Sequence, residues 1–155
     1  MEQATLGKAL ELEHRQIDGG IESYLAAADG EAADPAPLRT ALAGLRRHIY
    51  LEEQFLFPPL QAAGLMGPIF VMLREHGALW RAMDAVEALP SSPLGTTAIR
   101  DACTALLALL DAHNSKEEPI IYTQADKVLD AAASAELLDF LAQGTVPDGW
   151  VCAAV

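Results

Sequence analysis

The sequence has few aromatic residues, 6% Phe, Trp and Tyr together, and nowhere alternates apolar with polar residues over a useful length. Sheets draw on aromatic and β-branched residues in that alternation, so their scarcity argues against a strand-based fold. Alanine and leucine are plentiful instead, and both favour helix. Basic residues are also scarce. Ten Lys and Arg stand against 22 Asp and Glu, giving a formal charge of −12 and a pI near 4.5. A nucleic-acid partner needs a basic face to neutralise phosphate, and the densest basic feature is the pair Arg46–Arg47. Nucleic acid is therefore excluded as a partner, and an anionic membrane surface would repel the chain. No run approaches the roughly 18 apolar residues of a membrane span. Met1 to Lys8 has no basic region leading into an apolar one, so no signal peptide is expected. These absences imply a soluble cytoplasmic protein. The two cysteines form no framework of spacings. Cys103 lies in an apolar helical run and reads as core, and Cys152 reads as a free thiol with no special role.

What is present is helical periodicity. The chain has 155 residues, 52% of them hydrophobic, enough for one domain over 1–155 with a real core. Turn signals at Asp29 to Pro37, Gly64 to Pro68, Pro90 to Gly95 and Gly144 to Gly149 cut it into four long pieces and a tail. The first helix is expected over about Thr5 to Ala28, on Leu6, Leu10, Ile17, Ile21 and Leu25, with Gly19–Gly20 as a weak point. The second is expected from Pro37 to Ala63, on Leu38, Leu42, Leu45, Ile49, Phe55 and Leu56, kinked or broken near Phe57 by Pro58–Pro59. The third runs from Pro68 to Leu89 on Met72, Leu79, Met83 and Val86. The fourth runs from Thr96 to Ala131 on Ile99, Leu106, Leu107, Leu110, Ile120 and Ile121, kinked at Pro119. A short helix at Ala135 to Gln143 comes next. Four long helices on short loops imply an all-α, up-down-up-down four-helix bundle (core 5–131), with a short helix and tail over 132–155.

The two halves repeat each other. Glu13–His14 is followed by Ile17 and Ile21, and Glu75–His76 by Leu79 and Met83 at the same offsets. Leu42 and Leu45 precede His48 as Leu107 and Leu110 precede His113. Glu52–Glu53 and Phe55–Leu56 follow His48 where Glu117–Glu118 and Ile120–Ile121 follow His113. Leucine stripes align in any bundle, but polar residues at matching offsets do not. A pseudo-twofold bundle is implied, each half supplying a lone His and a His-x-x-x-Glu.

Residues four apart share a helix face, so His48 with Glu52 and His113 with Glu117 can each point at one spot. The flanking apolar residues turn that spot to the core. Six free polar groups there would be costly, and a metal resolves the cost by binding neutral imidazole and ionised carboxylate. All four histidines of the chain are used. His14, His48, His76 and His113 divide as two per metal. Glu52 and Glu117 can each bridge, and a solvent oxygen completes a bridge. Nitrogen and oxygen ligation without thiolate suits iron or manganese, with zinc compatible. Asp18, one turn after His14, reads as a solvated charge, with orienting His14 as the alternative. Tyr50 should face away from His48. Tyr122 can approach the lower end of the site and reads as a packing residue. Trp150 should dock on the bundle and pin the C-terminus.

The segments LELEHRQID, HIYLEEQFLFPPL, REHGALWRAMD and HNSKEEPIIYTQAD resemble the hemerythrin-like family of HHE cation-binding domains, over about Leu10 to Asp126. The resemblance implies a non-haem di-iron centre with an oxo or hydroxo bridge, His14, His48, His76 and His113 as terminal ligands, and Glu52 and Glu117 as bridges. Oxygen-carrying hemerythrins have five histidines, two on the third helix. Here the residue four after His76 is Trp80. The H, HxxxE, H, HxxxE set resembles instead the di-iron domain of the iron–sulfur cluster repair proteins. Those carry an added N-terminal cysteine-bearing domain, and only 13 residues precede His14 here. The expected function is reaction with a small oxidant (oxygen, nitric oxide or peroxide) in oxidative or nitrosative stress. A reversible oxygen or iron carrier or sensor without turnover is the alternative, and a metal staple ranks third.

Overall fold

The computed structural model describes residues 5–27, 34–89 and 96–155. Among these every regular element is a helix. Most of the turns expected at 29–37 and 90–95 lies outside the described residues. Helix α1 (Leu6–Leu25) starts at Thr5, whose hydroxyl accepts from the Lys8 N–H at 3.1 Å and so satisfies one of the first-turn donors. The second rod is α2 (Ala36–Leu51), a π-helical turn (Glu52–Leu56) and α3 (Phe57–Ala62). Gly64, at φ 103° in the left-handed region open to glycine, reverses the chain into α4 (Met66–Ala88). The fourth rod is α5 (Thr96–Glu117), a second π-helical turn (Glu118–Tyr122) and α6 (Thr123–Val128). The four rods form an up-down-up-down bundle, with α1 packed on α2 and α5, and α4 on α5.

The prolines do not break the rods, and a widened turn stands where a kink or break was expected. Proline lacks an N–H and its ring crowds the carbonyl four residues back. The second rod absorbs this by widening before Pro58–Pro59: the Phe57 N–H bonds to the Glu52 carbonyl, five residues away. Pro119 sits inside the second π turn, so the fourth rod does the same at the equivalent place. Each π turn takes one extra residue and rotates the helix beyond it. Ile121 is buried as a result, while Ile120, expected in the apolar stripe, is 48% exposed. The fourth rod also ends before Ala131. Asp130 accepts from the Ala133 N–H at 2.8 Å and starts α7 (Ala131–Gln143) four residues earlier than the periodicity implied.

The glycine pair of α1 splits in role. Nothing lies near the place a Cβ would take on Gly19, whereas one on Gly20 would meet the Ala41 Cβ at 2.8 Å and the Pro37 carbonyl at 3.1 Å. Gly20 therefore lets α1 and α2 approach closely. The bundle interior has two apolar layers. One gathers Ile21, Leu42, Leu45, Met83, Leu106 and Leu110. The other gathers Leu10, Leu56, Phe57, Leu60, Ile69 and Ile121. Between them lie His14, His48, Glu52, His76, His113 and Glu117, all at most 4% exposed.

Helix α7 and the tail pack on this bundle. The Arg47 guanidinium donates to the carbonyls of Phe140, Leu141 and Gly144 at the C-terminal end of α7, where carbonyls run out of helical partners. Trp150 stands edge-on to Tyr50 at 4.9 Å and to Trp80 at 5.5 Å. Cys103 and Cys152 are both buried in the first apolar layer. Among the described residues no helix is long and apolar enough to cross a membrane.

Candidate metal centre

The four rods bring all six expected residues to one buried spot. They form two overlapping groups. His14, His48, Glu52 and Glu117 make one; Glu52, His76, His113 and Glu117 make the other. In each, one ligand-capable atom per residue lies within 4.8 Å of all the rest. The two glutamates are common to both groups. Glu117 reaches out in two directions, with Oε1 3.2 Å from His14 Nε2 and Oε2 3.3 Å from His113 Nε2. Glu52 turns Oε1 to both His76 Nε2, at 3.2 Å, and His48 Nε2, at 3.5 Å. The four-residue spacing sets this up, because His48 and Glu52, like His113 and Glu117, sit one turn apart on the same face.

A second set of carboxylates surrounds the histidines. Glu13 on α1 lies 2.7 Å from Nδ1 of His48 on the second rod. Glu53 on the second rod lies 2.7 Å from Nδ1 of His76 on α4. Glu75 on α4 lies 2.9 Å from Nδ1 of His113 on α5. Glu118 on the fourth rod lies 3.8 Å from Nδ1 of His14 on α1. Three of the four rods thus orient the imidazole of the next, and Glu118 faces His14 at a longer distance without bonding it. A carboxylate on Nδ1 holds that nitrogen as N–H and leaves Nε2 to point inward, the arrangement a metal-binding histidine uses. Sequence reasoning gave these four no role, although a signal was present. They are the glutamates that precede His14 and His76 and follow Glu52 and Glu117 in the repeat.

Tyr122 also belongs to the site, against the reading of it as packing. Its hydroxyl lies 2.8 Å from His14 Nε2 and 2.9 Å from His48 Nε2, and donates to Glu52 Oε2 at 2.8 Å. Asp18 is half-buried rather than solvated. Burial pushes its pKa up, and its Oδ1 has no hydrogen-bond partner. His14 is instead faced by Glu118. Tyr50 does turn away, toward Phe55, Phe140 and Trp150.

The electrostatics favour a cation at the centre. Burial alone would lower the pKa of His48 and His76, but the anions around them prevail. Glu52 and Glu13 push His48 up to about 10. Glu52 and Glu53 push His76 up to about 9. Burial likewise opposes ionisation of Glu52 and Glu117, yet the imidazoles hold both below the ordinary carboxylate range, Glu117 well below. Burial and the charges of Glu117 and Glu52 raise Tyr122 well above its usual value, so it stays a donor. Positive charge is thus in demand here even with only protons to supply it. The polar atoms are also incompletely paired. His14 Nδ1, Glu52 Oε1, His76 Nε2 and both Glu117 oxygens are buried without a hydrogen-bond partner. Such groups cost about 1–3 kcal/mol each, more when charged. Inward imidazole nitrogens with two shared carboxylates are a donor set that fits metal cations and needs them.

Comparison with known proteins agrees with this geometry. A family model described as the hemerythrin HHE cation binding domain matches residues 5–125. Among curated proteins, the iron-sulfur cluster repair protein YtfE of Yersinia pestis (strain Pestoides F) is 38% identical over 82 residues, covering 51% of this chain and 36% of the relative. Its namesake in Yersinia pseudotuberculosis serotype O:1b (strain IP 31758) matches to the same extent. The chain therefore spans 36% of the length of these relatives. No solved structure matches it. With the family model covering most of the bundle, and His and Glu groups that could hold a cation buried at its centre, the chain belongs to the hemerythrin HHE cation-binding domain family.

Proposed function

We propose that the protein holds two iron ions, with a bridging oxo or hydroxo oxygen, and reacts there with a small oxidant: oxygen, nitric oxide or peroxide. The observation that carries this reading is the sharing of Glu52 and Glu117 by two His-containing groups. One metal would take His14 and His48, the other His76 and His113, with both glutamates as bridges. When bound, such a pair supplies electrons and open coordination positions. The chain supplies the rest. Four Nε2 atoms face inward, three of them through a close carboxylate on Nδ1. The apolar layers above and below keep bulk water out. Tyr122 holds the second oxygen of Glu52. The relatives' name, iron-sulfur cluster repair protein, fits a role in oxidative or nitrosative damage. Cluster repair itself belongs to proteins of which this chain spans 36%.

Metal analysis with absorption spectra of the aerobically purified protein tests the cofactor. About two irons per chain with oxo-bridge bands in the near ultraviolet are expected, and one zinc or none would overturn the reading. Exposing the reduced protein to oxygen, nitric oxide and peroxide in turn tests the reactivity. A spectrum indifferent to all three would remove it. Glu52→Ala and Glu117→Ala should each lose the paired centre, and two coupled irons retained in either variant would refute the bridging assignment.

A further inference from the structure

The C-terminal tail lies outside the segment matched by the family model, which ends at residue 125, yet it reaches the centre. The Ala153 N–H donates to Glu53 Oε1 at 2.9 Å, while Glu53 Oε2 holds His76 Nδ1 at 2.7 Å. One carboxylate thus joins the backbone of the tail to an imidazole of the site. The tail is fixed around that contact on both sides. Trp150 wedges against Tyr50 and Trp80, and Cys152 is 1% exposed within the apolar layer. The Arg81 guanidinium donates to the Ala154 carbonyl at 3.2 Å. Ala154 also lies on Gly77, the residue after His76, where a Cβ would collide with the Ala154 carbonyl. The pseudo-twofold supplies the comparison. Glu118, the counterpart of Glu53, lies 3.8 Å from His14 Nδ1, and that nitrogen has no hydrogen-bond partner.

We propose that residues 150–155 form a positioning strap for one half of the centre: through Ala153 and Glu53 they fix His76, and so tighten metal binding at the Glu52, His76, His113 and Glu117 group. This rests on the reading that the cluster holds metal. A glutamate side chain has several rotamers, and a backbone donor on its outer oxygen selects the one that meets Nδ1. Losing the outer partner of a metal-binding histidine lowers metal affinity about 10–100-fold. Coupling between two binding events is reciprocal, so metal at this half also tightens the strap.

Ala153→Pro tests this, because it removes the N–H from an exposed residue and leaves Glu53 in place. Gly77→Ala tests it from the opposite side by displacing Ala154. The full chain is titrated anaerobically with ferrous iron against a competing chelator. Wild type should take two irons. In both variants one iron should weaken by at least about tenfold while the other holds within about twofold, on the scale set by outer-shell losses. A second measurement needs no variant. Iodoacetamide modification of Cys152, distinguished from Cys103 by peptide mass spectrometry, should slow when iron is bound. Two irons bound as tightly in the variants as in wild type would overturn the strap and leave the metal reading standing. So would a Cys152 rate indifferent to iron. A wild-type chain that binds no iron would overturn both.

Discussion

The Tyr122 hydroxyl lies 2.8 Å from His14 Nε2, and its ring stacks on that imidazole at 5.2 Å. The same position of the other half is Phe57, nine residues after His48 as Tyr122 is after His113. Phe57 stacks on His76 at 5.3 Å, with no hydroxyl to offer. At this position the pseudo-twofold is broken by one oxygen atom, on the His14 side. Tyr122→Phe should make the halves alike at this position. It strips Glu52 Oε2 of its donor, so the metal-free protein should lose about 1–3 kcal/mol in urea unfolding. Bound metal supplies the missing partner, and the loaded variant should still carry two metals. A variant that keeps its metal-free stability would show that this hydrogen bond contributes nothing.

The outer carboxylates should matter for metal affinity. Glu75 holds His113 Nδ1 at 2.9 Å and is itself gripped by Lys116. Burial pushes its pKa up, but Lys116 and His113 outweigh that and hold it below the usual range, keeping it an acceptor. Glu75→Ala should weaken metal binding about 10–100-fold in chelator competition. Helix content should be unchanged, since Glu75 lies at the rim. Wild-type affinity in this variant would count against the orienting role.

Stability of the metal-free protein should fall in alkali. His48 at about 10 and His76 at about 9 both lie above the ordinary 6.5 of an unfolded imidazole. The folded state therefore binds these protons more tightly than the unfolded one. That stabilisation is complete below pH 6.5 and is lost as pH rises through 9 and 10. Melting temperatures of chelator-treated protein should decline across that window. Metal must displace the same protons, so its affinity should rise with pH there. A flat melting profile with pH-independent metal binding would rule out the imidazole–carboxylate pairing.

Adjacent glycines should respond in opposite directions. Gly19→Ala meets nothing and should stabilise α1 by about 0.5–1 kcal/mol, since alanine is the better helix former. Gly20→Ala runs into Ala41 and Pro37 and should destabilise by about 1–3 kcal/mol through overpacking. Thermal unfolding of the two variants checks this, and similar shifts for both would contradict the close contact of α1 with α2.

Local spacing made part of the molecule legible. His48 with Glu52, and His113 with Glu117, are one turn apart on a helix, and that relation holds wherever the helix lies. The apolar stripes around them, such as Leu42–Leu45 and Leu107–Leu110, placed the groups inward before any partner helix was known. Tyr122 escaped for a local reason of a different kind. Nine residues after His113, a regular α-helix puts a side chain on roughly the opposite face, at 3.6 residues per turn. The π turn at Glu118–Tyr122 takes up one extra residue and swings the phenol back to the site. Proline marked the place in the sequence, but a kink and a widened turn answer it equally well.

Periodicity within single helices was enough to determine the four-rod bundle, the six inward His and Glu residues and the two-half repeat. Which residues face each other between helices was settled by the tertiary structure. That one rod's glutamate orients the next rod's histidine, that Arg47 caps the end of α7, and that Ala153 reaches Glu53 depend on register and on the path of the tail. Such contacts join residues far apart in the chain, where helical periodicity no longer constrains distance and packing alone sets it.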